Sequence, residues 1–309
     1  LKVGAQFLVA ILLSANLPAF SADETMDLPQ ARQFMLSLIN RDRAKVGATP
    51  VTLDDVANRA GQLHSDEMAQ IGYLSHWTMD GRKPDQRYNE CGGKDRVAEN
   101  VDATLETTQT KLPLCKNQQF SKRDLEEIEA QFFDEKPPND GHRVNIIDVN
   151  HTSVGIGLSA ACRAEEERMP RVACTQEFIN HFGTYGDIPD SIKAGDAFLY
   201  EGTMNSGMQF QSIDLRFEKM PEPMTFEQLN ATSSYGIPDD ATYSYFQPPY
   251  ESPAPVNLSE TEAGQHFSLN IQTTKQWKPG LYYVCLWATP KNAKEATLIS
   301  TRTFKLQNK

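Results

Sequence analysis

The chain lacks any apolar run long enough to cross a bilayer: Phe7 to Leu13 is far short of the roughly 18 residues that a spanning helix needs. It is also poor in positive charge, with 30 Lys and Arg against 41 Asp and Glu. The formal charge of −11 repels phosphate backbones, which excludes nucleic acid as a partner. Five cysteines, at 91, 115, 162, 174 and 285, show no metal-ligand or haem spacing. There is no Gly-x-Ser-x-Gly elbow and no His-Glu-x-x-His, so conventional serine hydrolases and metallopeptidases are excluded as well. No internal repeat is evident.

What is present at the start reads as an export signal over residues 1–22. Lys2 precedes the apolar run, small residues surround Ala19, Ser21 and Ala22, and acidic residues begin at Asp23. Membrane contact is expected through this segment alone. An exported chain can oxidise its cysteines. The polar stretch from Arg163 to Arg168 reads as a hairpin tip closed by Cys162–Cys174, with Cys91–Cys115 closing another loop and Cys285 a buried free thiol. Sequence alone does not fix that connectivity.

The length fits two domains, and the texture changes near residue 188. Over residues 23–187, three helices are expected. The first follows Asp27-Leu28-Pro29 and ends near Gly47. The second starts at a capping box, Thr52 to Asp55, and runs to about Gly72. The third spans Arg123 to about Glu135 and is stopped by Pro137-Pro138. Strands follow at Val154 to Leu158 and Val172 to Phe178, which makes this part α+β. Residues 188–309 alternate at Phe210 to Phe217, His266 to Ile271, Leu281 to Leu286 and Thr297 to Leu306, with no helical period, and predict a small β-sandwich.

Four of the six histidines fall between residues 64 and 151. His76 follows the second helix and His142 the third, where the chain changes direction and sites usually form. With Glu99 and Glu135 they supply two imidazoles and two carboxylates, a set that can hold a divalent cation or form a neutral hydrogen-bonded network. His64 sits on the margin of an apolar stripe and reads as a packed structural histidine. Loop or core positions suffice for His151 and His181, and His266 opens a strand.

The runs Leu63 to Met68, Leu74-Ser75-His76-Trp77, Ala98-Glu99-Asn100, Gly141 to Ile146, Val154 to Gly157 and Cys174 to Phe178, in that order, resemble the CAP superfamily in its bacterial, SCP-like form. This is the family of cysteine-rich secretory proteins, wasp-venom antigens and plant pathogenesis-related proteins. The resemblance covers about residues 28–185 and implies a three-layer α-β-α sandwich whose groove gathers His76, Glu99, Glu135 and His142. Asp134 competes with Glu135 for the fourth place. Ala98 replaces the family's usual glycine, and Cys174 stands where an aromatic often precedes Thr-Gln.

Without an evident nucleophile, the expected function is that of a secreted, non-enzymatic binding module. The groove takes a divalent ion, zinc first among them, or, as the resemblance implies, a small molecule or lipid. The alternative is a metal-dependent hydrolase of peptides in which Glu99 or Glu135 moves the proton. In a third reading the tetrad only orders the groove, and an unidentified protein partner binds the β domain.

Overall fold

A computed structural model describes residues 24–163, 170–232, 234–291 and 293–308. The expected export signal, residues 1–22, lies outside them, as does most of the expected hairpin tip. The N-terminal part runs β1 (Thr25–Met26), α1 (Leu28–Lys45), β2 (Thr52–Leu53), α2 (Asp55–Ile71), α3 (Pro84–Glu90), β3 (Arg96–Ala103), β4 (Phe120–Ser121), α4 (Lys122–Phe133), α5 (Gly141–Ile147), β5 (Ser153–Ala161) and β6 (Arg171–Asn180). The C-terminal part runs β7 (Gly183–Tyr185), β8 (Ser191–Lys193), β9 (Ala197–Asn205), β10 (Met208–Glu218), α6 (Phe226–Ala231), β11 (Tyr243–Tyr245), β12 (Asn257–Thr261), β13 (Gly264–Gln272), β14 (Gly280–Pro290) and β15 (Thr297–Gln307). Among the described residues, no helix is long and apolar enough to cross a membrane.

One four-stranded sheet, ordered β2-β5-β6-β3, forms the middle layer of an α-β-α sandwich. Alternation along the strands decides which helix each face receives. In β5, Val154, Ile156 and Leu158 face the core built from Met35 and Ile39 of α1 and Leu125 and Phe132 of α4. The intervening glycines face α2. A Cβ at Gly155 would lie 2.1 Å from the Ala57 carbonyl carbon, and one at Gly157 would lie 2.2 Å from the Gly61 oxygen. The Val-Gly-Ile-Gly pattern therefore lets α2 pack backbone against backbone. Covered on both faces, β5 is buried from end to end.

Helix starts follow local chemistry. Asp27 and Gln30 form a reciprocal capping box at α1. At α2 the cap is Asp54, whose carboxylate accepts the Ala57 N–H at 2.7 Å; the expected box from Thr52 to Asp55 is not the device used, because Thr52 lies in β2. Helix α3 was not expected, although Pro84-Asp85 after Lys83 is a start signal. Nor was α6, which Thr225 and Gln228 open with a capping box, so the C-terminal part is not wholly without helix.

Beyond residue 182 two sheets, β11-β10-β14-β15-β8 and β12-β13-β9-β7, enclose a second core around Tyr200, Ile213, Phe267, Val284 and Phe304. This is the sandwich expected from the alternating runs.

The disulfide is Cys115–Cys162, and Cys91, Cys174 and Cys285 are free. Both expected pairings are therefore wrong, for a reason of register. Cys174 pairs with Leu158 in the middle of the β5–β6 ladder and is buried against α1 and α4, while Cys162 lies beyond the end of β5. There the returning loop runs beside it: the Cys115 N–H donates to the Ala160 carbonyl and the Cys162 N–H to the Pro113 carbonyl.

Candidate functional site

The edge strand β3 organises the site, because successive side chains point to opposite faces. Glu99 turns toward the layer of α2 and α3. Asn100 turns toward α5, where its Nδ2 donates to the His142 carbonyl at 3.1 Å. The Glu-Asn dipeptide thus reaches one histidine on each side of the sheet.

His76 sits in the loop between α2 and α3, which buried groups pin. The His64 Nε2 bonds the Ser75 carbonyl at 2.8 Å, and burial lowers the His64 pKa to about 3, so its ring is neutral and donates. The structural role expected for His64 is what the geometry gives, one residue from the site. Glu67 accepts the Met79 N–H at 2.6 Å, and Arg87 of α3 donates to the His76 carbonyl at 2.8 Å. The His76 Nδ1 then lies 2.8 Å from Glu99 Oε1.

The second oxygen of Glu99 accepts a hydrogen bond from Arg87. Burial is the largest influence and works against charge on Glu99, but Arg87 together with His64 and the hydrogen-bonded His76 outweighs it and holds the carboxyl below the usual range. Directly across the ladder from Glu99 is Glu177, also fully buried, 3.8 Å from the same guanidinium. Burial and then the Glu99 charge push Glu177 well above the ordinary carboxylate range. One cation thus faces two acids, of which one is ionised and one keeps its proton.

The opposite side is built differently. Glu135 lies two residues beyond α4, not within it, and receives both the His142 N–H at 2.9 Å and the His142 Nδ1 at 2.7 Å. It caps α5 and orients the imidazole in one contact set; Asp134 ends α4 and takes no part. The His142 ring packs on Phe132 at 4.6 Å between centroids.

All four residues line one groove of about 680 Å³. The imidazole centroids are 6.5 Å apart. The wall mixes polar and apolar surface, with Arg96, Asn145, Ser234 and Tyr235 among its residues and Ala98, Pro138 and Val144 as apolar members. Arg87, Arg96 and Tyr235 are site residues that sequence reasoning missed. The proline-started helix was the available signal for Arg87; Tyr235, 136 positions from Glu99, had none. Among the described residues, no group of three or more His, Cys, Asp and Glu is arranged to hold a metal ion. His151 is buried against Asn180 and His181 bonds Asp95, both away from this groove.

The model of the cysteine-rich secretory protein family, CAP, matches residues 36–178. No curated protein matches. Among solved structures, an extracellular SCP-domain protein from Bacillus anthracis is 18% identical with a TM-score of 0.36, over 49% of this chain and 41% of that one. An outer surface protein from Borrelia burgdorferi is 12% identical with a TM-score of 0.36, over 52% of this chain and 99% of that one. The chain spans about two fifths of the Bacillus protein's length.

Proposed function

Starting from residues 36–178 as a CAP domain, we propose that this is an exported, non-enzymatic binding protein whose groove takes a divalent ion at His76 and His142. The observation that carries the reading is the matched pair of imidazoles, each with Nδ1 engaged by a glutamate and Nε2 left as the donor. A carboxylate on one ring nitrogen fixes the tautomer and makes the other a better ligand.

The donor set fits an ion held by two histidines, with the glutamates behind them rather than bound to it. Glu99 is committed to His76 and Arg87, and Glu135 to His142 and the α5 backbone. Zinc suits imidazole nitrogen and leaves coordination positions for water or ligand oxygen. The companion ligand is a small molecule or lipid that meets a wall of mixed polar and apolar surface. The disulfide supports an oxidising compartment, in keeping with export.

The hydrolase reading ranks lower, since Glu99 is buried and held ionised beside Arg87 and so is poorly placed to pass a proton. Calorimetric titration with zinc tests the binding reading. Uptake is expected in the native chain and lost in His76→Ala/His142→Ala with the circular dichroism spectrum retained; equal uptake by the double variant refutes the site.

A further inference from the structure

We infer that residues 219–232 and 234–236 belong to a strap by which the C-terminal sandwich completes the groove, with Tyr235 as a positioning residue for His76 and Glu99; this rests on the groove being the binding site. The strap leaves the sandwich at the end of β10 and crosses the N-terminal part. Phe226 and Leu229 of α6 are buried there with Met68, Ala69 and Tyr73.

Its polar contacts fall on the loop that carries His76. The Met224 N–H donates to the Met79 carbonyl at 2.9 Å, and the Leu74 N–H donates to Asn230 Oδ1 at 3.0 Å. The Ser75 and Thr232 hydroxyls are 2.6 Å apart, and the Trp77 indole N–H donates to the Ser234 carbonyl at 3.3 Å. Lys83 fastens both ends. Its ammonium pairs with Glu218 at 2.6 Å, donates to the Gly236 carbonyl at 2.7 Å, and lies 4.8 Å from the Trp77 ring centroid.

Tyr235 then meets the site twice. Its ring lies 4.5 Å from the His76 ring, and its hydroxyl oxygen accepts the Glu99 N–H at 2.6 Å. Because β3 is a sheet edge, that N–H points away from β6 and has no strand partner. The carbonyl of the same residue accepts from Asn145 Nδ2 at 3.2 Å. The backbone of the residue that orients His76 is thus fixed by a side chain from the other part of the molecule.

The test uses the full chain with Tyr235→Phe and Tyr235→Ala, followed by amide hydrogen exchange, thermal unfolding, and titration with zinc and with cobalt(II). In Tyr235→Phe the Glu99 amide is expected to exchange at least tenfold faster with little change in Tm, the cobalt(II) absorption to shift, and zinc affinity to fall severalfold. Tyr235→Ala is expected to lose roughly 10- to 100-fold, the range typical of partners that orient metal-binding histidines. Native zinc affinity with an unshifted cobalt(II) spectrum in both variants overturns the inference, as does unchanged Glu99 protection in Tyr235→Phe. If the native chain takes up no ion, the binding reading falls, and the exchange rate in Tyr235→Phe alone decides the strap. If Tyr235→Ala does not fold, Tyr235→Phe carries the test.

Discussion

The two histidine–glutamate pairs of the groove have the same bond and opposite surroundings. His76 and Glu99 are 12% and 0% exposed and lie over a fully buried charged network, whereas His142 and Glu135 are 30% and 25% exposed and rest on a loop and a short helix. A carboxylate held by a buried guanidinium cannot be moved without breaking an ion pair in low dielectric. One held by backbone N–H groups at the surface can. The groove therefore has a firmly held wall at His76 and a more adjustable one at His142.

The largest effect that sharpens this contrast is expected from Arg87→Met. It leaves Glu99 and Glu177 buried without their cation and should cost roughly 3–5 kcal/mol in urea unfolding. A loss under about 1 kcal/mol would erase the distinction between the walls.

A second test looks beneath the adjustable wall, at Glu129 of α4, whose buried carboxyl accepts from Gln176 at 2.7 Å. Burial raises its pKa from 4.5 to about 8. The folded state therefore holds the proton more tightly than the unfolded chain. That contribution is complete below about pH 4.5 and is lost as pH rises toward 8, with nothing further above. Glu129→Gln, neutral throughout, should gain on the native protein as pH rises, by roughly 2–4 kcal/mol at pH 9, read from paired urea titrations. A difference independent of pH would refute the assignment.

The smallest effect is expected from Glu135→Gln. It keeps a cap acceptor for α5 and should change stability by less than about 1 kcal/mol, while the imidazole loses its charged partner and zinc affinity falls roughly tenfold in calorimetry. A stability loss as large as that of Arg87→Met would mean that the open pair is as fixed as the buried one.

What sequence could show was local. The stripes of α1, α2 and α4, the glycine alternation of β5 and the ordered short runs around His76, Glu99 and His142 are patterns within a few residues. The periodicities marked the helices and strands, while the three layers and the four groove residues followed from the family resemblance that the ordered runs carry. The alternating runs of β10, β13, β14 and β15 likewise announced the sandwich. The failures are contacts between distant segments. Cys115 meets Cys162 because a loop returns beside the end of β5, and Tyr235 meets Glu99 across two folded parts; neither leaves a periodicity to read. Arg87 escaped because a seven-residue helix is too short to show a stripe, although its proline start was visible.

The free edge of β3 has a consequence for how this chain tolerates being divided. An uncovered strand edge is a template for pairing with any extended peptide. In the intact protein, the strap bars that template with one phenol and a short helix. A fragment ending near Tyr185 would keep His76, Glu99, Glu135 and His142, and would also present Trp77, the end of α2 at Met68 and Ala69 that α6 covers, and an unpaired N–H on an open edge. Such a fragment would be prone to self-association by strand addition, so the segment that shapes the groove also keeps the molecule from recruiting its own copies.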